Sequence, residues 1–216
     1  MMKLLSVNVG LPQEFSWQGK KVRTAIFKQQ VSGKIWLSHE NLDGDRQGDP
    51  RSHGGQYKAV YAYPGEHYTF WRRQLPDLDL AWGSFGENFT TQGLLEGEVC
   101  IGDVFQVGTA VVQVSEPRLP CYKLNLRFER EDILDNFQNS RRIGFYLSVL
   151  QEGYVKPGDE ITVVERHVGG ITISEALRLR VFDPHDVESL KRAVQDTALT
   201  PHWRQRFQRQ LEAARE

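Results

Sequence analysis

The sequence predicts a mainly β fold with helices (α+β), in which a closed or strongly bent sheet is followed by a small helical unit. Three observations lead there. Apolar residues recur with period two over most of the first 168 positions, the spacing of half-buried strands. Gly-Asp pairs stand at the entries of several such runs, as in Gly102-Asp103 and Pro157-Gly158-Asp159, and repeated tight entries suit a curved sheet. After Gly169-Gly170 the apolar period becomes that of helices.

In chain order, Leu5, Val7 and Val9 are expected on one face of the first strand, and Val22, Thr24 and Ile26 on one face of the next. Further strands are expected at 34–37, 58–63, 104–107, 111–115 and 161–164. Pro64, at a first helical position, opens a helix with His67, Trp71 and Leu75 at i, i+4 and i+8. Another helix is expected at about 129–137. Strands do not alternate strictly with helices, which disfavours a parallel doubly wound sheet.

Beyond 170, Thr172 and Glu175 form a capping box that leads into 176–182. Asp183-Pro184 is a cap ahead of Val187, Leu190 and Val194, and Thr200-Pro201 a cap ahead of Trp203, Phe207 and Leu211. The expected division is 1–168 for the sheet domain and 169–216 for a three-helix unit. Helices of about ten residues bury little by themselves. The unit is therefore expected to dock on the barrel, on a second subunit in a homodimer, or on a partner.

The 216 residues suffice for one sizeable core, and a net charge of -1 supplies no global field for a nucleic-acid polymer or an anionic membrane. No apolar run approaches the roughly 20 residues that span a bilayer. The opening segment has the pattern of a strand, not of a signal peptide. Two cysteines, Cys100 and Cys121, fit a reducing compartment, so a cytoplasmic location is expected. There is no CxxC, HExxH or calcium-type spacing, and a metal held wholly by protein ligands is not expected.

Three segments stand out chemically. Residues 44–55, GDRQGDPRSHGG, place Arg46, Arg51 and His53 among glycines shortly before Lys58. Guanidinium forks and backbone N–H groups near glycine suit an oxyanion, although the same composition also makes a solvated loop. Gly86-Glu87-Asn88 offers side chains that pair with a polar heterocycle, or a plain turn into a strand. In VSEPRLPCYKLN, 114–125, two prolines hold Cys121 at a rigid corner, and Arg118 and Lys123 would stabilise its thiolate as metal ligand or nucleophile. Cys100, between Val99 and Ile101, has the pattern of a small buried hydrophobe.

These segments, in this order, resemble the MOSC family, and the whole chain resembles its YiiM-like subgroup, associated with resistance to 6-N-hydroxylaminopurine. The shared elements are the GDRQGDPRSHGG–KAVYAYPGEHY block, the GEN turn, the GD-x-F-x-V-G strand entry, EPRLPCYKL and the helical tail. The resemblance implies a MOSC β-barrel that binds the molybdenum cofactor, a pterin-dithiolene complex, with Cys121 as the thiolate ligand to molybdenum. It implies reduction of small N-hydroxylated substrates, R–NHOH to R–NH₂ and water. His53 is then a candidate proton donor beside Cys121, since N–O cleavage consumes protons. Lys21, Arg23 and Arg51 are candidates for the cofactor phosphate, Glu87 and Asn88 for the pterin edge, Lys58 for a further cofactor contact, and Arg118 for tuning the thiolate or holding an anionic oxo group. No flavin, haem or iron–sulfur motif is present, so a separate flavin or iron–sulfur reductase is expected to supply electrons. The competing expectation is a sulfur carrier or cofactor-handling module with a persulfide on Cys121.

Overall fold

The computed structural model describes residues 1–48 and 54–214. Its strands are β1 (Met2–Val9), β2 (Gln13–Trp17), β3 (Lys20–Thr24), β4 (Gln29–Val31), β5 (Ile35–Leu37) and β6 (Val60–Pro64). They continue with β7 (Phe89–Gln92), β8 (Val104–Val107), β9 (Ala110–Pro117), β10 (Phe145–Gln151), β11 (Gly153–Val155) and β12 (Glu160–Glu165). The order β12-β8-β9-β10-β6-β7-β1, with β1 also paired to β12, closes a seven-strand barrel, and β4 extends it beside β1. Closure leaves few free edges. All pairings are antiparallel except β6–β7. A parallel pair needs a crossover, and helix α1 (His67–Gln74) provides it.

The turn chemistry at two strand entries follows the sequence pattern. Gly102 and Gly158 take φ of 96° and 93°, which glycine adopts without a Cβ penalty. The next residue closes each turn: Asp103 Oδ2 accepts from Cys100 N (3.0 Å), and Asp159 Oδ2 from Lys156 N (2.9 Å).

β6 is buried on both faces. Val60 and Ala62 face the barrel core with Phe89, Phe105, Val112 and Phe145. Tyr61 and Tyr63 face a second, aromatic core with Tyr68, Trp71, Phe85 and Phe137. That layer is covered by α1, α2 (Lys123–Phe128) and α3 (Ile133–Ser140). Trp71 stacks on Phe137 at 5.4 Å between centroids and donates its N–H to Tyr63 Oη (2.6 Å). Buried polar tips thus find partners, as aromatic cores require.

Several local expectations change. In β1 the buried apolar side chains are Leu4 and Val7, with Leu5 and Val9 only half-buried, because a bulge between Leu4 and Ser6 resets the alternation. Pro64 ends β6 and does not begin the helix, and Lys58 lies in a 3-10 turn, Gln56–Lys58, ahead of the strand. The helix expected at 129–137 is α3, which starts only at Ile133, because Glu129, with φ of 54°, ends a preceding helix, α2, that was not expected. β7 and β10 were not expected: β7, FTTQ, holds a single apolar residue and shows no alternation, whereas β10 does alternate, with Phe145, Leu147 and Val149 buried and Tyr146 and Ser148 half-buried. Cys100 is half-buried and lies in a bridge to Thr172.

At the C-terminal end are α4 (Ile173–Leu177), a π-helical turn (Arg178–Phe182), α5 (Val187–Gln195) and α6 (Pro201–Ala213). Thr172 Oγ1 accepts from Glu175 N (3.1 Å), and Thr200 Oγ1 from Trp203 N (3.4 Å). The cap of α5 is Asp186 rather than Asp183: its Oδ1 accepts from Ser189 N (3.0 Å). Leu190, Trp203 and Phe207 join the same apolar core as the barrel strands. No helix among the described residues is long and apolar enough to cross a membrane.

The bond from Ser189 N, with Arg178 beside it, lowers the Asp186 pKa from 3.8 to about 2. A depressed carboxylate stabilises the fold above its unfolded pKa and loses that effect as pH falls through the folded one. Asp186→Ala is therefore expected to lower the melting temperature at pH 7. Thermal unfolding as a function of pH should show the difference from the parent closing between about pH 4 and pH 2.

Candidate functional site

Beside the barrel wall opens a cleft of about 600 Å³, counted to its mouth, whose lining includes Thr24, Lys28, Asp45, Lys58, Asn88, Arg118, Cys121, Lys123 and Tyr146. This volume is in the range of small-molecule sites. Among the described residues its cations are Lys28, Arg46, Lys58, Arg118 and Lys123, against one carboxylate, Asp45. The lining therefore favours an anionic ligand.

Cys121 arrives there because Pro117 ends β9 and Pro120 fixes the next corner before α2. Its thiol is half-buried. Arg118 is buried, with its guanidinium 5.1 Å from the Tyr61 ring and 5.4 Å from that of Phe137. Burial opposes the Arg118 charge, but the Tyr61 hydroxyl and the Cys121 thiol outweigh it and raise the guanidinium pKa. Arg118 Nη1 is shielded from solvent without a hydrogen-bond partner. A buried unpaired donor is unfavourable, and here it belongs to a residue that lines the cleft. Burial pushes the Tyr146 hydroxyl up to about 12 despite Arg118, so it remains a protonated donor at neutral pH.

The opposite wall is a buried polar network. Asp45 Oδ1 accepts from Gly10 N (2.7 Å) and meets the Lys28 ammonium, while its Oδ2 accepts from Asn88 Nδ2 (2.9 Å). Asn88 also donates to the Asn8 carbonyl (3.2 Å) and accepts from Tyr61 N (3.1 Å). One side chain thus joins β1, β6 and the Asp45 loop. Gly86, with φ of 83°, lies so close to Ile26 that a Cβ would come within 2.9 Å of its side chain.

On the far side of the cleft, Lys58 Nζ is 3.4 Å from Glu116 Oε1 and 5.7 Å from the Tyr146 ring centroid. Glu116 is buried, and its Oε2 accepts from Thr200 Oγ1 (3.2 Å), the cap of α6. The C-terminal unit thereby touches a residue that pairs with the cleft.

The cleft brings together Arg46, Lys58, Asn88, Arg118, Cys121 and Lys123 among the residues singled out in the sequence. Arg51 and His53 lie outside the described residues. Lys21 and Arg23 stand on the exposed face of β3, outside the lining, because Val22 and Thr24 take the inward positions. Glu87 is fully buried and also outside it. Its carboxylate accepts from Tyr68 Oη, Gly83 N (2.7 Å), Phe85 N (3.1 Å) and Thr90 Oγ1 (2.9 Å), so it holds the aromatic layer and has no oxygen to offer a pterin. Burial raises its pKa, and the bonds from Tyr68, Gly83 and Thr90 oppose the rise. Lys28, Asp45, Tyr61 and Tyr146 were missed. Lys28 carries no local motif, Asp45 lies in the 44–55 segment but only its cationic residues drew notice, and the tyrosines look like ordinary strand aromatics.

Because all four donors point at Glu87, Glu87→Gln would set an amide N–H₂ against them. It is expected to destabilise the fold by about 1–3 kcal/mol in denaturant unfolding. A loss below about 0.5 kcal/mol would contradict the assignment of Glu87 to this structural role.

Residues 49–162 match the model of the MOSC domain, and residues 171–214 that of the YiiM-like, 3-alpha helix domain. Protein YiiM of Escherichia coli (strain K12) is 38% identical over 189 residues, which cover 86% of this chain and 84% of that protein. A Gibberella moniliformis (strain M3125 / FGSC 7600) protein named Reductase is 38% identical over 151 residues, 68% of this chain but 27% of that longer protein. The crystal structure of YiiM from Geobacillus stearothermophilus superposes with a TM-score of 0.82 at 33% identity, covering 98% of this chain and 100% of that one. A thiol and five cations in one cleft, on a barrel continued by a docked helical unit, accompany this similarity along nearly the whole chain. The chain belongs to the MOSC family, with a YiiM-like three-helix extension.

Proposed function

We propose that the protein is a molybdenum-cofactor-dependent reductase of small N-hydroxylated compounds, with Cys121 as the protein's ligand to molybdenum. The observation that carries this is Cys121 within a cationic cleft beside the unpaired, buried Nη1 of Arg118. The residues suit the group. A pterin-dithiolene cofactor brings soft sulfur donors and a phosphate, and needs from the protein a thiolate and positive charge. Among the described residues no three His, Cys, Asp or Glu side chains gather to hold a metal by themselves. One thiol is the contribution this cleft can make.

The reaction R–NHOH + 2H⁺ + 2e⁻ → R–NH₂ + H₂O breaks the N–O bond and leaves the oxygen as water. When bound, the cofactor supplies the two-electron redox change. Lys28, Lys58 and Lys123 hold anionic groups in the cleft. Arg118, fixed against Tyr61 and Phe137, offers Nη1 to a bound oxygen and keeps positive charge beside the thiolate. Tyr146 retains its proton and donates a hydrogen bond. The cleft's open mouth admits a small substrate together with the water that carries protons. Electrons come from a separate flavin or iron–sulfur reductase. The long relative named Reductase, of which the matched region is 27%, supports a reductase reading.

Gently purified protein is expected to hold molybdenum at about one per chain, to lose it in Cys121→Ser, and to reduce 6-hydroxylaminopurine when given electrons. Lys58→Gln removes one charged contact and should weaken cofactor retention roughly tenfold, measured as molybdenum remaining after dilution. Fully loaded protein without turnover on any N-hydroxylated base would sink the reductase reading. Metal-free protein with a cyanide-releasable sulfur on Cys121 would support sulfur transfer in its place.

A further inference from the structure

A second cavity lies in the C-terminal unit, away from the Cys121 cleft. It holds about 530 Å³ of space open to solvent between the π-helical turn and α6, and is lined by Arg180, His202, Gln205, Arg206, Arg209 and Gln210. No carboxylate among the described residues lines it.

The other arginines of this unit among the described residues are paired. Arg178 bonds Asp183 (2.6 Å) and Asp186 (2.7 Å), Arg192 bonds Glu175, and Arg204 bonds the carbonyls of Val194 (2.5 Å) and Asp196 (2.6 Å). Arg180, Arg206 and Arg209 have no such acceptor among the described residues. Arg180 Nε is shielded from solvent with no hydrogen-bond partner, and so is Gln210 Oε1, although Gln210 Nε2 donates to the Leu179 carbonyl (2.8 Å). Burial, with the charge of Arg206 beside it, lowers the Arg180 pKa. Like charges held together beside unpaired buried groups oppose folding. The backbone is also irregular there: Asp183 N donates to the Arg178 carbonyl (2.8 Å), a π-type bond, and such turns concentrate at functional sites.

We propose that this pocket binds a phosphate group, either free or as a small phosphate ester. Guanidinium forks match phosphate oxygens in pairs, and two negative charges would relieve the crowding of three arginines. A phosphate that keeps one proton also has the O–H donor that Gln210 Oε1 lacks. The proposal does not depend on the chemistry assigned to Cys121.

The test is titration of the full-length protein with inorganic phosphate, adenosine 5′-monophosphate and adenosine, by calorimetry at ionic strength matched with chloride. Saturable phosphate binding is expected, weakened roughly tenfold in both Arg180→Gln and Arg206→Gln. Should Arg180→Gln fail to fold, the solvent-facing Arg209→Gln serves with Arg206→Gln. Binding of the monophosphate but not of adenosine would mark an esterified ligand. Binding of phosphate with exclusion of the monophosphate would mark the free ion, and both support the site. Absence of saturable binding above the chloride control would overturn the proposal. So would binding weakened by Lys58→Gln but by neither arginine variant.

Discussion

Glu87 and Asn88 are neighbours in the chain that serve opposite sides of one wall, and both cores and the cleft depend on their burial. Glu87 gathers four donors from α1, the Gly83–Phe85 turn and β7, and so ties the aromatic layer to the barrel. Asn88 bonds β1, β6 and Asp45, and so fixes the rim of the cleft. A buried polar group is tolerated only when its partners are in place. The same requirement that satisfies Asn88 therefore sets where Asp45, and with it Lys28, must stand. The charge of the cleft is in this sense a product of the fold's polar bookkeeping.

The opposite wall depends on Glu116. Its two oxygens divide between Lys58, at the cleft, and Thr200, at the head of α6. Trp203 and Phe207 then seat that helix on the apolar core that contains the barrel strands. The helical unit is consequently part of the surroundings of the site, although none of its residues lines the cleft. Displacement of α6 would leave a buried carboxylate with one partner fewer beside Lys58, which links the unit to the ligand charge by a short physical path.

Much of the fold was legible because it rests on local chemistry. The Gly-Asp entries, the caps at Thr172 and Thr200, and the apolar faces of α1 and α6 are each determined by neighbours within a few residues. What escaped depends on distant partners. The bulge in β1 shifts the buried face because β7 pairs across it, and no pattern within 2–9 announces that. The site divides the same way. Cys121 stood out through its prolines and basic neighbours, whereas Lys28 and Asp45 acquire their place only through a contact 17 residues apart. Glu87 and Asn88 looked equivalent in the sequence. Both stand in the turn ahead of β7, and distant partners separate them: Glu87 meets the donors of α1 and the Gly83–Phe85 turn, whereas Asn88 meets Asp45 and β1.

The central claim is that Cys121 is a metal ligand rather than a nucleophile or a sulfur carrier. Molybdenum K-edge X-ray absorption of the gently purified protein, compared with Cys121→Ser reloaded with cofactor, examines that bond itself. The account predicts one sulfur neighbour fewer around molybdenum in the variant, with the two dithiolene sulfurs retained. Identical sulfur coordination in the two proteins would contradict it.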